Sequence, residues 1–437
     1  MRIGYCSPFN PIPSGISDFS EELALVLKAR MEVVIFSEVP PENPAIARDF
    51  EVHDLSELDN AALRQTLDLI VYHIGNNWVA HGKIIEMLRK YPGVVELHDI
   101  GLHDLATYEA DHTQNWPGYI ELAGYCHGQR GRQIAEDFLA GKAREPWLEH
   151  PLDMCMNRRI LDQASAIIVH SDMAKQMVLA DHPGKPIAHI PHHSAISTEP
   201  PKDLRARCRR ELGLPQKKLI FGSFGFASKD KRIPQIIEAL RQFRKAYGSD
   251  FLYCIVGSAA EDLHLEETLR KLQLQEQVVV TGFVSLEDFN RYVGACDFCL
   301  NLRYPTRGES SGSLHRMLGM GKPVVVTNIG TFMEYPDEVA QKIGYGETEA
   351  EEICKAMLSL TKRKDAEAMN LQIRRYAEEH FSLATNAKRY ADFFEQVLHH
   401  TWTPDYMDRL VDRLLELGLT HPDYTAHLSR LLQGAFH

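Results

Sequence analysis

Residues Arg303–Asn328 read RYPTRGESSGSLHRMLGMGKPVVVTN, and their order decides the fold. They follow an apolar run, Phe298–Leu302, that has the length and composition of a buried strand. Gly308, Ser310, Ser311 and Gly312 come next, all too small to build a core. Leu314, Met317 and Leu318 then recur at helical spacing, Gly321 and Pro323 stop the helix, and Val324–Val326 begin another strand. Strand, Gly/Ser loop, helix, strand is a layout that aims backbone N–H groups at an anion, because a helix start carries unpaired donors and about half a positive charge. Small residues also fill ordinary strand-to-helix turns, so this stretch alone leaves both readings open.

The same rhythm extends on both sides. Upstream, Leu219–Phe224 predicts a strand leading into GFASKDKR, followed by a helix over Ile233–Tyr247, a strand over Phe251–Val256, a helix over about 263–272, a strand at Val278–Val280 running into TGFVS, and a helix over Leu286–Ala295. The chain start repeats the pattern: strand Arg2–Tyr5, the loop SPFNPIPSGISD, a helix capped by Ser17 or Asp18, and strand Val33–Phe36. One glycine, Gly15, marks that first turn, so it is no dinucleotide fingerprint. Leu69–Tyr72 ends in the polar cluster His73–Asn77, and Val94–Leu97 ends in His98-Asp99. Ligands of open α/β sheets sit beyond the carboxyl ends of strands, which singles out His73, Asn76, His98 and Asp99. Two further strands end in His170-Ser171 and in Pro191-His192-His193, and Ser197–Asp203, STEPPKD, reads as a linker.

Residues 101–160 exceed a normal connection and are rich in aromatic residues. They read as an acceptor-side subdomain that includes His103, or as a helical cap without ligand contacts. Helices over about 349–361 and 366–379 lead to a closing helix. In residues 402–437, Met407, Leu410, Val411, Leu414 and Leu417 form one apolar face. Packing on its own protein is the first expectation for that face; a homodimer contact or a peripheral membrane contact is the runner-up.

At 437 residues the chain fits two domains plus extras. Its 44% hydrophobic and 25% charged residues are those of a soluble globular protein. No apolar run approaches the ~18 residues of a membrane span, and the start lacks a signal-peptide core, which predicts a cytoplasmic protein. A net charge of −12 argues against nucleic acid as partner. The eight cysteines read as reduced core residues; Cys296 and Cys299 form a CxxC without a second pair at zinc spacing. There is neither an HExxH nor a DxD pattern, so no metal and no cofactor is expected.

The 308–323 segment resembles the nucleotide-sugar segment of retaining glycosyltransferases of the GT-B fold, family 4 (glycosyl transferases group 1). Gly321-Lys322-Pro323 matches the family's Gly-Lys-Pro. On that register Gly308 and Arg316 occupy the places of the usual Glu-x7-Glu pair, and Glu309 lies one place later, as in a family variant written Gly-Glu-x-Ser-Gly. The resemblance covers residues 1–400, weakly in 101–160, and does not reach the tail.

It implies two Rossmann-like domains facing across a cleft, an acceptor domain 1–196 and a nucleotide-sugar domain 204–378 joined by linker 197–203, with a crossing-back helix at 379–400 and a helical tail 401–437. It implies sugar transfer, with retention, from a nucleotide-sugar to a hydroxyl acceptor, a glycan or lipid-linked glycan. The catalytic group it implies is His98, Asp99, Lys231 and Glu309. Donor contacts fall to Gly15, Lys231, Phe283, Val284, Glu309, Ser310, Ser311, Gly312 and Arg316, with Phe226 standing where the family has a phosphate-binding Arg. Acceptor contacts fall to His73, Asn76 and His103. Arg316 is expected to replace the missing cation; the alternative is a surface Arg316 with Arg303 or Arg307 in that role. Two other functions stay open: a catalytically inactive protein that binds a sugar nucleotide or a partner, favoured by Phe226 and Arg316, and a same-fold epimerase or phosphorylase-like enzyme, the latter without an identifiable pyridoxal lysine.

Overall fold

The computed structural model describes residues 1–399, which include two wholly parallel sheets. The first has seven strands in the order β3-β2-β1-β4-β5-β6-β7: β1 Arg2–Cys6, β2 Glu32–Ser37, β3 Glu51–Asp54, β4 Leu69–Ile74, β5 Val94–Leu97, β6 Ala166–Val169 and β7 Ile187–His189. The second has six in the order β10-β9-β8-β11-β12-β13: β8 Leu219–Phe224, β9 Phe251–Val256, β10 Val278–Val280, β11 Phe298–Asn301, β12 Val324–Thr327 and β13 Ala340–Ile343. Helices cover both faces of such sheets, so the central strands are apolar on both sides, as FLYCIV of β9 and FCLN of β11 show by complete burial. The GT-B architecture expected from sequence is therefore the observed one.

In each sheet the chain order reverses beside the first strand, between β1 and β4 and between β8 and β11. Neighbouring loops part at such a switch point and leave a crevice beyond the strand ends. The edge strands β3 and β13 escape the sequence reading because EVHD and AQKI lack an apolar run. The first helix spans Gly15–Leu27 and is capped by Ser14, whose side chain accepts from the Ile16 N–H, rather than by Ser17 or Asp18; Ser17 instead donates to the Ile12 carbonyl. The stretch 197–203 is only partly linker: Pro200 precedes a helix over Pro201–Glu211 that uses Pro201 at its first position, where a missing N–H costs nothing.

The 101–160 insertion holds the helices His103–His112 and Trp116–Leu139, the second kinked at Gly128 with φ 63°. A small apolar cluster of its own includes Tyr119, Ala123, Ala135 and Met154. The final described helix, Leu383–Leu398, touches the first sheet: Asn386 Nδ2 donates to the Pro191 carbonyl at 2.5 Å, and the Tyr390 hydroxyl donates to Glu96 Oε1 at 2.6 Å. The expected tail at 401–437, with its dimer or membrane-surface role, lies outside the described residues. No helix among the described residues is long and apolar enough to cross a membrane.

The core of the second sheet centres on Phe221, fully buried, with ring centroids 4.7 Å from Phe298, 5.5 Å from Tyr253 and 5.8 Å from Phe251. Phe221→Ala is expected to cost about 3–5 kcal/mol in denaturant unfolding, the range for a large cavity in a packed core. A loss under about 1 kcal/mol contradicts this packing.

Candidate functional site

The carboxyl ends of both sheets open onto one cleft of about 990 Å³. The first half contributes the loop from Asn10 to Asp18, then Asn76, Asn77, His81, His98, Asp99 and His192; the second contributes Gly225, Phe226, Val256–Ser258, Phe283–Leu286, Phe289, Ser310, Gly312, Ser313 and Arg316. Of the predicted site residues, Gly15, Asn76, His98, Asp99, Phe226, Phe283, Val284, Ser310, Gly312 and Arg316 thus border a single space.

The decisive stretch folds as its sequence implies. The helix Gly312–Gly319 starts at the cleft, with Ser311 as its cap: Ser311 Oγ accepts from the Leu314 N–H at 3.3 Å. Ser311 is buried in that role, while Ser310, Gly312 and Ser313 line the cleft. A Cβ on Gly312 would lie 3.1 Å from the His192 ring, so a glycine lets the two halves approach here.

The expected cations are placed differently. Lys231 lies half-buried beneath the turn after β8 and donates to the Phe224 carbonyl at 2.7 Å; a Cβ on Gly225, whose φ is 83°, would be 2.6 Å from its Nζ. Burial pushes the Lys231 ammonium well below the usual lysine range. It supports the turn from below and is not part of the cleft wall, contrary to its expected place on the diphosphate. Glu309 also turns away: its Oε2 accepts from Thr306 Oγ1 at 3.0 Å and from the Arg307 N–H at 2.7 Å. Its Oε1 lies 2.8 Å from Arg303 Nε, close enough for an ion pair although the N–H is not aligned for a hydrogen bond. Arg307 pairs with Asp104 and Asp230 at 2.9 and 3.1 Å.

Arg316 does reach the cleft, but its fork is held by Glu22 of the Gly15–Leu27 helix, Nη1 to Oε1 at 2.9 Å and Nη2 to Oε2 at 3.0 Å. His193 Nε2 lies 3.1 Å from the same carboxylate. Burial opposes ionisation of Glu22, but the bond to His193 and the Arg316 guanidinium outweigh it and hold the carboxyl at about 2. This partner, 294 positions away in sequence, has no local signal. Phe226 and Phe283 stand at the mouth, 57% and 83% exposed.

On the first half, His98 lies at the end of β5 and uses both ring nitrogens inward, Nε2 at 3.1 Å from His73 Nδ1 and Nδ1 at 3.2 Å from His170 Nε2. Asp99 Oδ2 accepts from the Asn76 N–H at 2.9 Å, and burial raises its carboxyl to about 6. Two of the three expected acceptor contacts are corrected. His73 is wholly buried behind His98, and His103 is locked in the insertion between the Met154 carbonyl and the Tyr119 hydroxyl. Asn76 borders the cleft, but its side chain bonds Asp104 and the Leu105 N–H, both at 2.9 Å. Sequence reasoning missed His81, which lines the cleft with Nδ1 donating to the His73 carbonyl and Nε2 unpartnered. Its place one turn inside a helix leaves no pattern to find. Among the described residues one trio offers ligand atoms within 4.8 Å of one another, His73, Glu96 and His98, and a hydrogen bond already joins its two imidazoles.

The fold and this cleft together define the architecture of GT-B glycosyltransferases. Residues 205–380 match the family described as Glycosyl transferases group 1. The O-antigen biosynthesis glycosyltransferase WclY of Escherichia coli is 27% identical over 132 residues, 30% of this chain and 35% of that protein; the match spans about a third of the relative's length. Anabaena HepE in complex with UDP-glucose superposes with a TM-score of 0.62 at 18% identity, covering 91% of this chain and 100% of that one. WaaG, a glycosyltransferase involved in lipopolysaccharide biosynthesis, gives 0.58 at 15%, covering 90% and 99%.

Five buried histidines, His73, His98, His170, His192 and His315, have their basicity lowered by burial and, less, by neighbouring histidines; bonds to backbone carbonyls at His170, His192 and His315 oppose this without cancelling it. The unfolded chain protonates them near the ordinary 6.5. Their contribution to stability is therefore present above pH 6.5 and lost as pH falls, by up to about 1.4 kcal/mol per pH unit for each. Glu96 and Asp99, raised by burial to about 8 and about 6, work the other way, but they are two groups against five. The melting temperature is expected to fall steeply between pH 6.5 and pH 5; a flat profile there contradicts the neutral cluster.

Proposed function

We propose that this protein transfers a sugar from a nucleotide-sugar to a hydroxyl of a glycan or lipid-linked glycan, in the assembly of a cell-surface polysaccharide, with retention at the anomeric carbon. The observation that carries this reading is the cleft itself: a helix start rich in small residues on one wall faces the strand-end pair His98-Asp99 on the other. Phosphate suits the first wall, since helix N–H groups and the planar Arg316 fork are donors matched to its oxygens. The Phe283-Val284 turn and the exposed Phe226 ring suit a nucleobase. His98 and Asp99 then face the transferred sugar, and the acceptor enters from the side of Asn76 and His81.

Departure of the nucleoside diphosphate puts negative charge on its terminal phosphate. The amides of Ser310–Gly312, the helix dipole and Arg316 are fixed donors at that place, which is the kind of stabilisation that lowers such a barrier most. The diphosphate takes Arg316 from Glu22: a phosphate offers the same pair of oxygens and carries more charge. No divalent ion is required at the diphosphate in this scheme. The reaction needs a nucleotide-sugar and an acceptor as partners, and takes place in the cytoplasm.

One observation favours a second reading, binding without catalysis. Arg303, Arg307 and Arg316 each already have a carboxylate partner, and the Lys231 ammonium is engaged by the Phe224 carbonyl. Nucleoside diphosphate release from UDP-, GDP-, ADP- and TDP-sugars, with and without glycan acceptors, separates the two. Acceptor-dependent release that persists in EDTA is expected. Binding of a nucleoside diphosphate with no release for any acceptor supports the second reading, and release that vanishes in EDTA overturns the metal-free scheme.

Phe283→Ala is expected to weaken binding of UDP and of uridine alike, by about 1–3 kcal/mol, as for an aromatic ring stacked on a base. Unchanged affinity for both removes Phe283 from the base site.

A further inference from the structure

A row of ring nitrogens runs inward from the backbone of Ile190 to Glu96. His170 Nδ1 lies 2.8 Å from the Ile190 carbonyl, which can only accept, so the hydrogen is on Nδ1 and His170 Nε2 holds a lone pair. That lone pair lies 3.2 Å from His98 Nδ1, which must therefore carry hydrogen. His98 Nε2 is then an acceptor, and His73 Nδ1, 3.1 Å away, donates to it. This leaves a lone pair on His73 Nε2, 3.5 Å from Glu96 Oε2, and neither of those two buried atoms has a hydrogen-bond partner among the described residues. Two acceptors facing each other out of water repel; a hydrogen on Oε2 turns the contact into a donor and an acceptor. Glu96 Oε1 takes the Tyr390 hydroxyl.

Among the described residues, every element packed on Glu96 points the same way. It meets His73 of β4, His98 of its own strand end, His170 after β6 and Tyr390 of the Leu383–Leu398 helix. Tyr5 of β1, whose ionisation a charged Glu96 would oppose, lies 4.3 Å, ring to ring, from His73. None of these is a lysine or arginine. Burial lifts the Glu96 carboxyl to about 8 against the bond from Tyr390, and lowers His73, His98 and His170.

We propose that Glu96 is a positioning residue: it keeps its proton at neutral pH and, through His73, fixes the hydrogen of His98 on Nδ1, so that the imidazole bordering the cleft is neutral and of one tautomer. When Glu96 ionises, its proton leaves to solvent. The hydrogens of His73 and His98 then each move from Nδ1 to Nε2, so that His73 donates to the carboxylate and His98 to His73. The mismatch of two lone pairs moves to the His98–His170 contact, at the edge of the cleft. The importance of this for turnover rests on the reading of His98 as a sugar-facing residue; the tautomer itself does not.

The test is ¹⁵N NMR of histidine-labelled full-length protein, with the His98 signal assigned by its loss in His98→Gln. Nδ1–H tautomers of His98 and His73 are expected at pH 7, converting to Nε2–H towards pH 9. In Glu96→Gln the amide N–H₂ donates to His73 as the acid does, so the Nδ1–H tautomer should persist to pH 9. An Nε2–H or doubly protonated His98 at pH 7, or a wild-type tautomer that does not change up to pH 9, overturns the proposal; the wild-type series decides even if the variant does not fold. The matching kinetic readout is an alkaline fall of kcat near pH 8 in wild type that is absent in Glu96→Gln, with KM unchanged. The expected tautomers without any sugar transfer contradict the transfer reading and leave the role of Glu96 standing.

Discussion

Glu22 and Arg316 approach from opposite walls of the cleft, and their two-pronged contact ties the first helix of the chain to the helix that starts at the Gly/Ser loop. A planar guanidinium binds two coplanar oxygens and little else as well. Removing one member of such a half-buried pair leaves the other charge without compensation, so each partner constrains the other. The same carboxylate receives His193, which adjoins the His192 ring packed against Gly312. Position of the helix start, closeness of the two walls and charge at the cleft floor all depend on this one contact. In the proposed function a phosphate, whose oxygens have a similar spacing, takes the place of Glu22.

Other bridges between the two halves repeat the theme of carboxylates satisfying exposed donors. Glu334 accepts from the Asp172 and Met173 N–H groups, at 3.1 and 2.7 Å, and so caps the helix that follows β6. Arg307 is shared by Asp104 and Asp230, and its carbonyl accepts from the Gly101 N–H at 2.9 Å. Gly308, at φ 73°, sits so close to Ile100 that a Cβ would be 2.0 Å from Cγ2. That steric fact accounts for a glycine where a family Glu was expected, and Glu309, folded back on its own loop, does not take over that position.

The fold was legible because parallel sheets buried on both faces write continuous apolar runs into the sequence, and because Gly321 and Pro323 punctuate them. The cleft walls were legible for a related reason: ligands meet strand ends, so His98-Asp99 and the Ser310–Gly312 loop could be placed by topology alone. What the sequence did not disclose were pairings across space. Lys231 has the right spacing for a phosphate clamp, yet one hydrogen bond to Phe224 turns it under the turn. His73 ends a strand like His98, but side chains alternate along a strand, and the face it occupies is filled by Tyr5 and Glu96. Glu22, His81 and Glu96 left no mark, since a carboxylate or imidazole on a helix or in a strand is ordinary until its partner is known.

The central claim is that the cleft takes a nucleoside diphosphate by exchanging Glu22 for phosphate at Arg316. Titration calorimetry of UDP and GDP against wild type, Glu22→Gln and Arg316→Ala tests it most directly. The account predicts that Glu22→Gln tightens binding of whichever diphosphate binds, because the competing charge is gone. It predicts that Arg316→Ala weakens it by about 1.5–3 kcal/mol, the range for a hydrogen bond to a charged group, while sparing the bare nucleoside. Unchanged diphosphate affinity in both variants would contradict the exchange and move the phosphate site to the arginines of the 303–307 loop.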